Sequence, residues 1–216
     1  PEGFPLTYNY SVTSGSLTNG GGTTATVGQG TGEGYAISSA SILSGTHTVS
    51  AYAGGLTFKP DGTEMYYVGT NNDRVSRNTL STPWDVSTAS YVGSSSNTLT
   101  QVSNLTDVKF NNDGTKMYMV SGSDTLHEYS LSTAWDISTA SISVNLTADD
   151  LKDGATTILS APTGGRFTSN GLYFLIVDSG NDKIWQYNLS TAWDISTLSY
   201  SGYSFAVSAQ ESVPNG

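Results

Sequence analysis

Two histidines and no cysteine are all this chain of 216 residues has for acid–base and thiol chemistry near neutral pH. Without cysteine there is no thiolate nucleophile, no disulfide framework and no Cys-based zinc site. His47, in Gly45-Thr46-His47-Thr48, falls near a turn and has no carboxylate partner beside it. His127 sits where the sister repeats described below carry Ser76 and Trp185. A position that takes Ser, His or Trp is expected to be exposed or peripheral. No Gly-rich phosphate loop leading into a helix and no Gly-x-Ser-x-Gly elbow occurs. No catalytic residue is expected.

The acids and the tryptophans recur in register. Asp61 and Asp113, with Asn170 in the third copy, sit before a glycine in a turn, where Asx side chains satisfy local backbone donors. Asp73, Asp124 and Asp182 each precede a strand, and Asp85, Asp136 and Asp194 are placed to cap the Ser-Thr turn that follows them. Oxygen ligands at turn tips suit calcium, which is the one alternative to a chain without cofactors; no EF-hand spacing is present. Trp84, Trp135 and Trp193 are expected to pack over a sheet edge, with stacking against a sugar ring as their ligand-binding alternative.

The elements that carry these residues form a repeat. Leu80-Ser81-Thr82-Pro83-Trp84-Asp85-Val86-Ser87-Thr88 returns at Leu131–Thr139 and at Leu189–Thr197, where Ala134 and Ala192 replace Pro83. Phe58-Lys59-Pro60-Asp61-Gly62 returns as Phe110-Asn111-Asn112-Asp113-Gly114 and Phe167-Thr168-Ser169-Asn170-Gly171. Both markers keep step, so whole units repeat, and the third is longer within Asp149 to Thr157.

Each unit reads as four strands. A short apolar strand ends at the Phe, and Asp-Gly or Asn-Gly then suggests a tight hairpin with positive φ at both central residues. The second strand is Met65-Tyr66-Tyr67-Val68, Met117-Tyr118-Met119-Val120 or Phe174-Leu175-Ile176-Val177, apolar enough to be covered on both faces. The third runs Arg74 to Leu80, Thr125 to Leu131 or Lys183 to Leu189. The fourth is Ser/Thr-rich, as a solvent-facing outer strand would be. Four antiparallel strands per unit of about fifty residues predict an all-β protein of β-propeller blades, over 54–100, 104–146 and 161–207.

Ile37-Ser38-Ser39-Ala40-Ser41-Ile42 echoes the fourth strand at Ile137–Ile142, and the tail 209–216 stops where another first strand should begin. Three blades do not close a ring of four to eight. The chain is therefore expected to be part of a longer polypeptide or to join other copies in an oligomer. Residues 1–34 read as a Gly/Ser/Thr-rich β segment, either an incomplete sandwich-like module, which the resemblance described below implies to be Ig-like, or a hairpin covering the open edge of the propeller, and 35–216 as the propeller repeats.

The composition narrows the partners. A formal net charge of −10, with eight Lys and Arg in all, offers no basic stripe for nucleic acid. No apolar run is long enough to cross a bilayer as a helix. Aromatic residues at 11% set the chain apart from disordered polymers equally rich in Ser and Thr.

The Leu-Ser-Thr-Ala-Trp-Asp-Ile-Ser-Thr string resembles a repeat of β-propellers in marine phage and bacterial fibre or surface proteins. Phe-x-x-Asp-Gly-Thr-x-Met-Tyr before it and Ser-Ala-Gln-Glu-Ser-Val-Pro-Asn-Gly after it share the resemblance. WD40 repeats are not matched, since neither histidine follows a glycine and the units are longer. The resemblance implies a non-enzymatic structural or adhesive module of a virion or cell surface. Its partners would be other virion or surface subunits, or surface glycans. The alternative is a glycan-binding, lectin-like or glycan-processing propeller. Recognition is expected in loops at one end of the blades: Asn71-Asn72, Ser121-Gly122-Ser123 and Ser179-Gly180-Asn181.

Overall fold

In the computed structural model the described residues are 53–69, 73–95, 102–153, 156–211 and 213–214. The segment 1–34, the Ile37–Ile42 echo, His47 and the Asn71-Asn72 loop lie outside them.

Three four-stranded antiparallel sheets follow one another along the chain. The first is β1 (Ala53–Phe58), β2 (Glu64–Gly69), β3 (Arg74–Leu80) and β4 (Ala89–Ser94). The second is β5 (Leu105–Phe110), β6 (Lys116–Ser121), β7 (Thr125–Leu131) and β8 (Ala140–Leu146). A small hairpin, β9 (Lys152–Asp153) with β10 (Thr156–Thr157), occupies the stretch by which the third unit is longer. The third sheet is β11 (Pro162–Phe167), β12 (Tyr173–Asp178), β13 (Lys183–Leu189) and β14 (Leu198–Ala206). In each sheet the strands lie in sequence order, joined by short connections, as in a propeller blade. The protein is all-β, and these are three β-propeller blades.

The strands at the blade starts pack side by side, β1 on β5 and β5 on β11, so they form the inner layer. Two apolar clusters fill the gaps between blades. Tyr66 and Val68 of the first blade meet Val108, Met117, Met119, Tyr129 and Leu131 of the second. Tyr118, Val120 and Leu126 of the second meet Phe167, Phe174, Ile176, Trp185 and Tyr187 of the third. The blades thus bury the faces they turn to one another, while the outer strands β4, β8 and β14 are largely exposed.

Two expectations from the sequence are corrected here. His127 is neither exposed nor peripheral: it is 1% exposed, and its counterpart Trp185 is 6% exposed. Both are on the third strand of a blade, on the face turned to the preceding blade, which a single sheet's pattern does not distinguish from solvent. The Asp-Gly hairpin also differs from expectation. Only the glycines are left-handed, with φ of 72° at Gly62 and Gly114 and 70° at Gly171. Lys59 O accepts Gly62 N at 2.8 Å, and Lys59 N donates to Glu64 O at 3.0 Å. This is a type I turn followed by a left-handed glycine, the longer hairpin loop. Pro60 in the first unit, with φ locked near −65°, excludes positive φ at that position.

Candidate functional site

The antiparallel order puts the Asp-Gly hairpin and the Trp-Asp turn of one blade at the same end. The backbone ties them: Trp84 N donates to Gly62 O, Trp135 N to Gly114 O and Trp193 N to Gly171 O, at 2.9–3.0 Å. Each tryptophan is itself left-handed, with φ of 66°, 67° and 62°. Such a backbone is costly for a bulky residue and persists only where the surroundings enforce it. Here the indole lies directly over the glycine, in space that a Cβ at Gly62, Gly114 or Gly171 would take. It also meets the ring of Phe58, Phe110 or Phe167 at 5.0–5.2 Å. The two sequence markers are therefore two halves of one clamp.

The repeated aspartates hold this end of the blade. Asp61 Oδ1 accepts Thr63 N at 2.9 Å and the Thr63 hydroxyl at 2.6 Å, which holds its carboxyl at about 2, below the ordinary 3.8. Asp113 accepts the same two bonds from Thr115, which lower its carboxyl below the ordinary value. Asn170 accepts Leu172 N and the Thr168 hydroxyl. Asp85, Asp136 and Asp194 each accept the N–H and hydroxyl of the serine two residues on, capping one turn of 3-10 helix. Among the described residues, no group of three or more His, Asp or Glu side chains converges to hold a metal ion.

Between blades lies a set of contacts that the sequence markers do not announce. The Tyr66 hydroxyl shares its one proton between Glu64 Oε2 of its own blade at 2.6 Å and Trp135 O of the next blade at 2.7 Å, and that of Tyr118 donates to Trp193 O at 2.6 Å. Charged residues flank each tyrosine with the signs exchanged. In the first blade Glu64 is on β2 and Arg77 on β3; they pair at 2.6 Å, and Arg77 reaches Asp136 at 3.5 Å. In the second, Lys116 is on β6 and Glu128 on β7, paired at 2.8 Å. Lys116 donates to Trp193 O at 2.9 Å, and Glu128 accepts Ile195 N at 3.1 Å. In both junctions the pair grips the Trp-Asp turn of the following blade. Burial pushes both tyrosine hydroxyls well above their usual range, and the Glu64 bond adds to this at Tyr66. The sequence did hold a signal: opposite charges change places at the same two register positions.

Trp135 O has no donor besides Tyr66 in this set, whereas Trp193 O also has Lys116. Tyr66→Phe is therefore expected to lower stability by about 1–2 kcal/mol and Tyr118→Phe by about 1 kcal/mol or less. Urea unfolding midpoints at constant m-value check the order.

The three proposed stacking residues do not form one surface. Trp84 is 56% exposed, while Trp135 and Trp193 are half-buried, Trp135 with its ring against Tyr66 of the preceding blade and Trp193 with its carbonyl bonded to Tyr118. Trp84 has the same backbone and the same glycine beneath it; its extra exposure comes from having no such tyrosine among the described residues. His127 makes one hydrogen bond, with the Thr125 hydroxyl at 2.8 Å, and no acid stands on its other nitrogen. Buried between blades, it offers no route to substrate. Asp107, which no marker singled out, joins the inner strands: it is 2% exposed, binds Lys109 at 2.7 Å and accepts Gly165 N of the third blade at 3.0 Å.

No family model matches the chain, and neither does any curated protein. Solved structures do. A putative 6-phosphogluconolactonase from Bacteroides fragilis is 14% identical with a TM-score of 0.48, over 71% of this chain and 39% of that one. A protein from Lactobacillus plantarum is 14% identical, TM-score 0.46, over 68% and 40%. The Cps50 (Swd1) β-propeller domain of Myceliophteria thermophila is 15% identical, TM-score 0.46, over 73% and 46%. The chain spans less than half the length of each. The similarity is one of fold, and the three sheets themselves make the chain a run of β-propeller blades.

Proposed function

We propose that the chain is a non-enzymatic structural or adhesive β-propeller module, part of a phage fibre or a bacterial surface protein. The observation that carries this reading is the use made of its reactive side chains. The repeated aspartates bind backbone and hydroxyl groups of their own turns. The ion pairs bind the next blade, and His127 lies buried without an acid partner. What remains at the opposite end are short polar loops, Ser121-Gly122-Ser123 and Ser179-Gly180-Asn181, carried on rigid sheets. A scaffold of this kind suits repeated, weak surface recognition. The resemblance of the repeat to fibre and surface propellers supports the same setting, in which the partners are neighbouring virion or surface subunits and surface glycans.

A test is to label native particles or cells with antibody raised against the chain and to look for it by electron microscopy. Labelling confined to fibres or the outer surface is expected; a purely intracellular signal would sink the reading. In parallel, purified bacterial polysaccharides are incubated with the chain and reducing ends are assayed. Their release would favour the glycan-processing alternative.

The exposed Trp84 gives the lectin-like alternative its one specific foothold. If it stacks sugars, Trp84→Ala abolishes retention on immobilised polysaccharide. On the structural reading, any retention changes less than about twofold, because the indole serves the Gly62 turn.

A further inference from the structure

Besides the Asp107–Gly165 bond, the start of each next blade is tied to the blade before it by one of two devices, and the choice depends on how that blade begins. The second blade begins with Leu105, whose N–H donates to Asp73 of the first at 3.0 Å. The third begins with Pro162, at the same register position, which has no N–H to give. Asp124, the counterpart of Asp73, is left with a buried Oδ1 that no donor reaches. The junction uses a hydroxyl instead: Thr106 of the second blade shares its proton between Val120 O of its own blade at 3.0 Å and Pro162 O at 3.2 Å. The first blade has Gly54 at the position of Thr106, and there the aspartate does the work.

This second device occurs once more. Thr163 stands in the third blade where Thr106 stands in the second, and it donates to Pro214 O at 3.0 Å. Pro214 is buried. Asp182, the third counterpart of Asp73, again has a buried Oδ1 with no donor, as it must if a proline fills the neighbouring place. The sequence agrees, since Ser160-Ala161-Pro162-Thr163-Gly164 is echoed by Ser212-Val213-Pro214-Asn215-Gly216.

We infer that Pro214 is the first residue of a fourth inner strand, docked in register, and that the face of the third blade that no other described residue covers is built to receive a fourth blade continuing from it in the same polypeptide. A second copy of this chain is the less suitable occupant, because the place its own first strand would need is already filled by Pro214. The face is chemically distinct from the two internal junctions. Leu175 replaces the tyrosine at the register of Tyr66 and Tyr118, and Gln186 replaces the charged residue at the register of Arg77 and Glu128. Leu172, Tyr173 and Val213 are left exposed. The fourth blade is thus gripped by apolar contact and not by an ion pair, and its own start needs no backbone donor.

The test extends the full chain so that Pro214 is followed directly by a second copy of residues 163–211. Stacked repeats gain stability from each neighbour, so one cooperative transition is expected, with its midpoint at least about 5 °C above that of the 216-residue chain. The same extension with one alanine inserted after Pro214 turns every following side chain to the opposite face and should give no such gain. Equal melting of both extended chains, or separate melting of the added segment, overturns the inference. Self-association of the unextended chain that Leu175→Glu abolishes would show that the face takes a second copy, which also overturns it.

Discussion

Gly114→Ala is expected to destabilise the protein by about 2–5 kcal/mol, enough to unfold a large share of a marginally stable domain. Two costs combine. A left-handed backbone at a residue with a Cβ costs about 1–2 kcal/mol, and Gly114 has φ 72°. The new methyl would also lie inside the Trp135 ring. Trp135 cannot simply move away, because its N–H is bonded to Gly114 O, its carbonyl to Tyr66 and its ring to Phe110. Overpacking of this kind costs about 1–3 kcal/mol further.

Two other glycines separate the terms. Gly202 has φ 83° with open space where a Cβ would go, so Gly202→Ala carries the backbone cost alone, about 1–2 kcal/mol. Gly93 has neither positive φ nor a close neighbour, and Gly93→Ala should be neutral or stabilising by up to about 1 kcal/mol. Urea unfolding of the three variants, followed by far-UV circular dichroism, gives the ranking. If Gly114→Ala costs no more than Gly202→Ala, the clamp between the two sequence markers is not real.

The blades were legible because their signals are local. Short apolar strands, turn glycines and the fifty-residue repeat each belong to one short stretch, and the third strands fall at Arg74–Leu80, Thr125–Leu131 and Lys183–Leu189, where the repeat places them. What the sequence hid lies between blades. His127 reads as a tolerant surface position because Ser76 and Trp185 share its register, yet each side chain only has to fill a different gap beside the preceding blade. Tyr66 looks like any apolar strand residue until the next blade brings Trp135 O to its hydroxyl. Asp107 has no counterpart at all, since Gly55 and Gly164 hold its place in the other blades. It is needed once, where three inner strands meet, and Gly55 is small because a Cβ there would strike the Asp107 backbone. Contacts of this type leave no period to read. The Trp-Asp motif was visible, but its purpose was not. Only the left-handed backbone explains why a large ring should recur over a glycine.

Acid should weaken the junction between the first two blades through His127. Burial lowers this imidazole from 6.5 to about 4, and it is held neutral by a single bond to Thr125 with its other nitrogen unpaired. Asn145 lies opposite it on β8 and Met119 on β6, so neither paired strand offers a carboxylate to stabilise the cation. The unfolded chain binds a proton near pH 6.5 that the folded chain refuses until about pH 4. Stability is therefore complete above pH 6.5 and falls as pH drops through that window, by up to about 3 kcal/mol at pH 4. Asp124 acts in the opposite sense. Burial, with Asp178 nearby, raises its carboxyl above 3.8, so the folded chain takes up that proton first and gains stability on acidification. Asp61, with its carboxyl at about 2, keeps its contribution throughout the window and loses it only as pH falls below 3.8. His127→Gln should flatten the fall between pH 6.5 and 4, while Asp124→Asn should steepen it. Urea midpoints at half-unit pH steps decide between these signs. A wild-type profile that stays level to pH 4, or one that His127→Gln leaves unchanged, would place the histidine in contact with water and remove it from the blade junction.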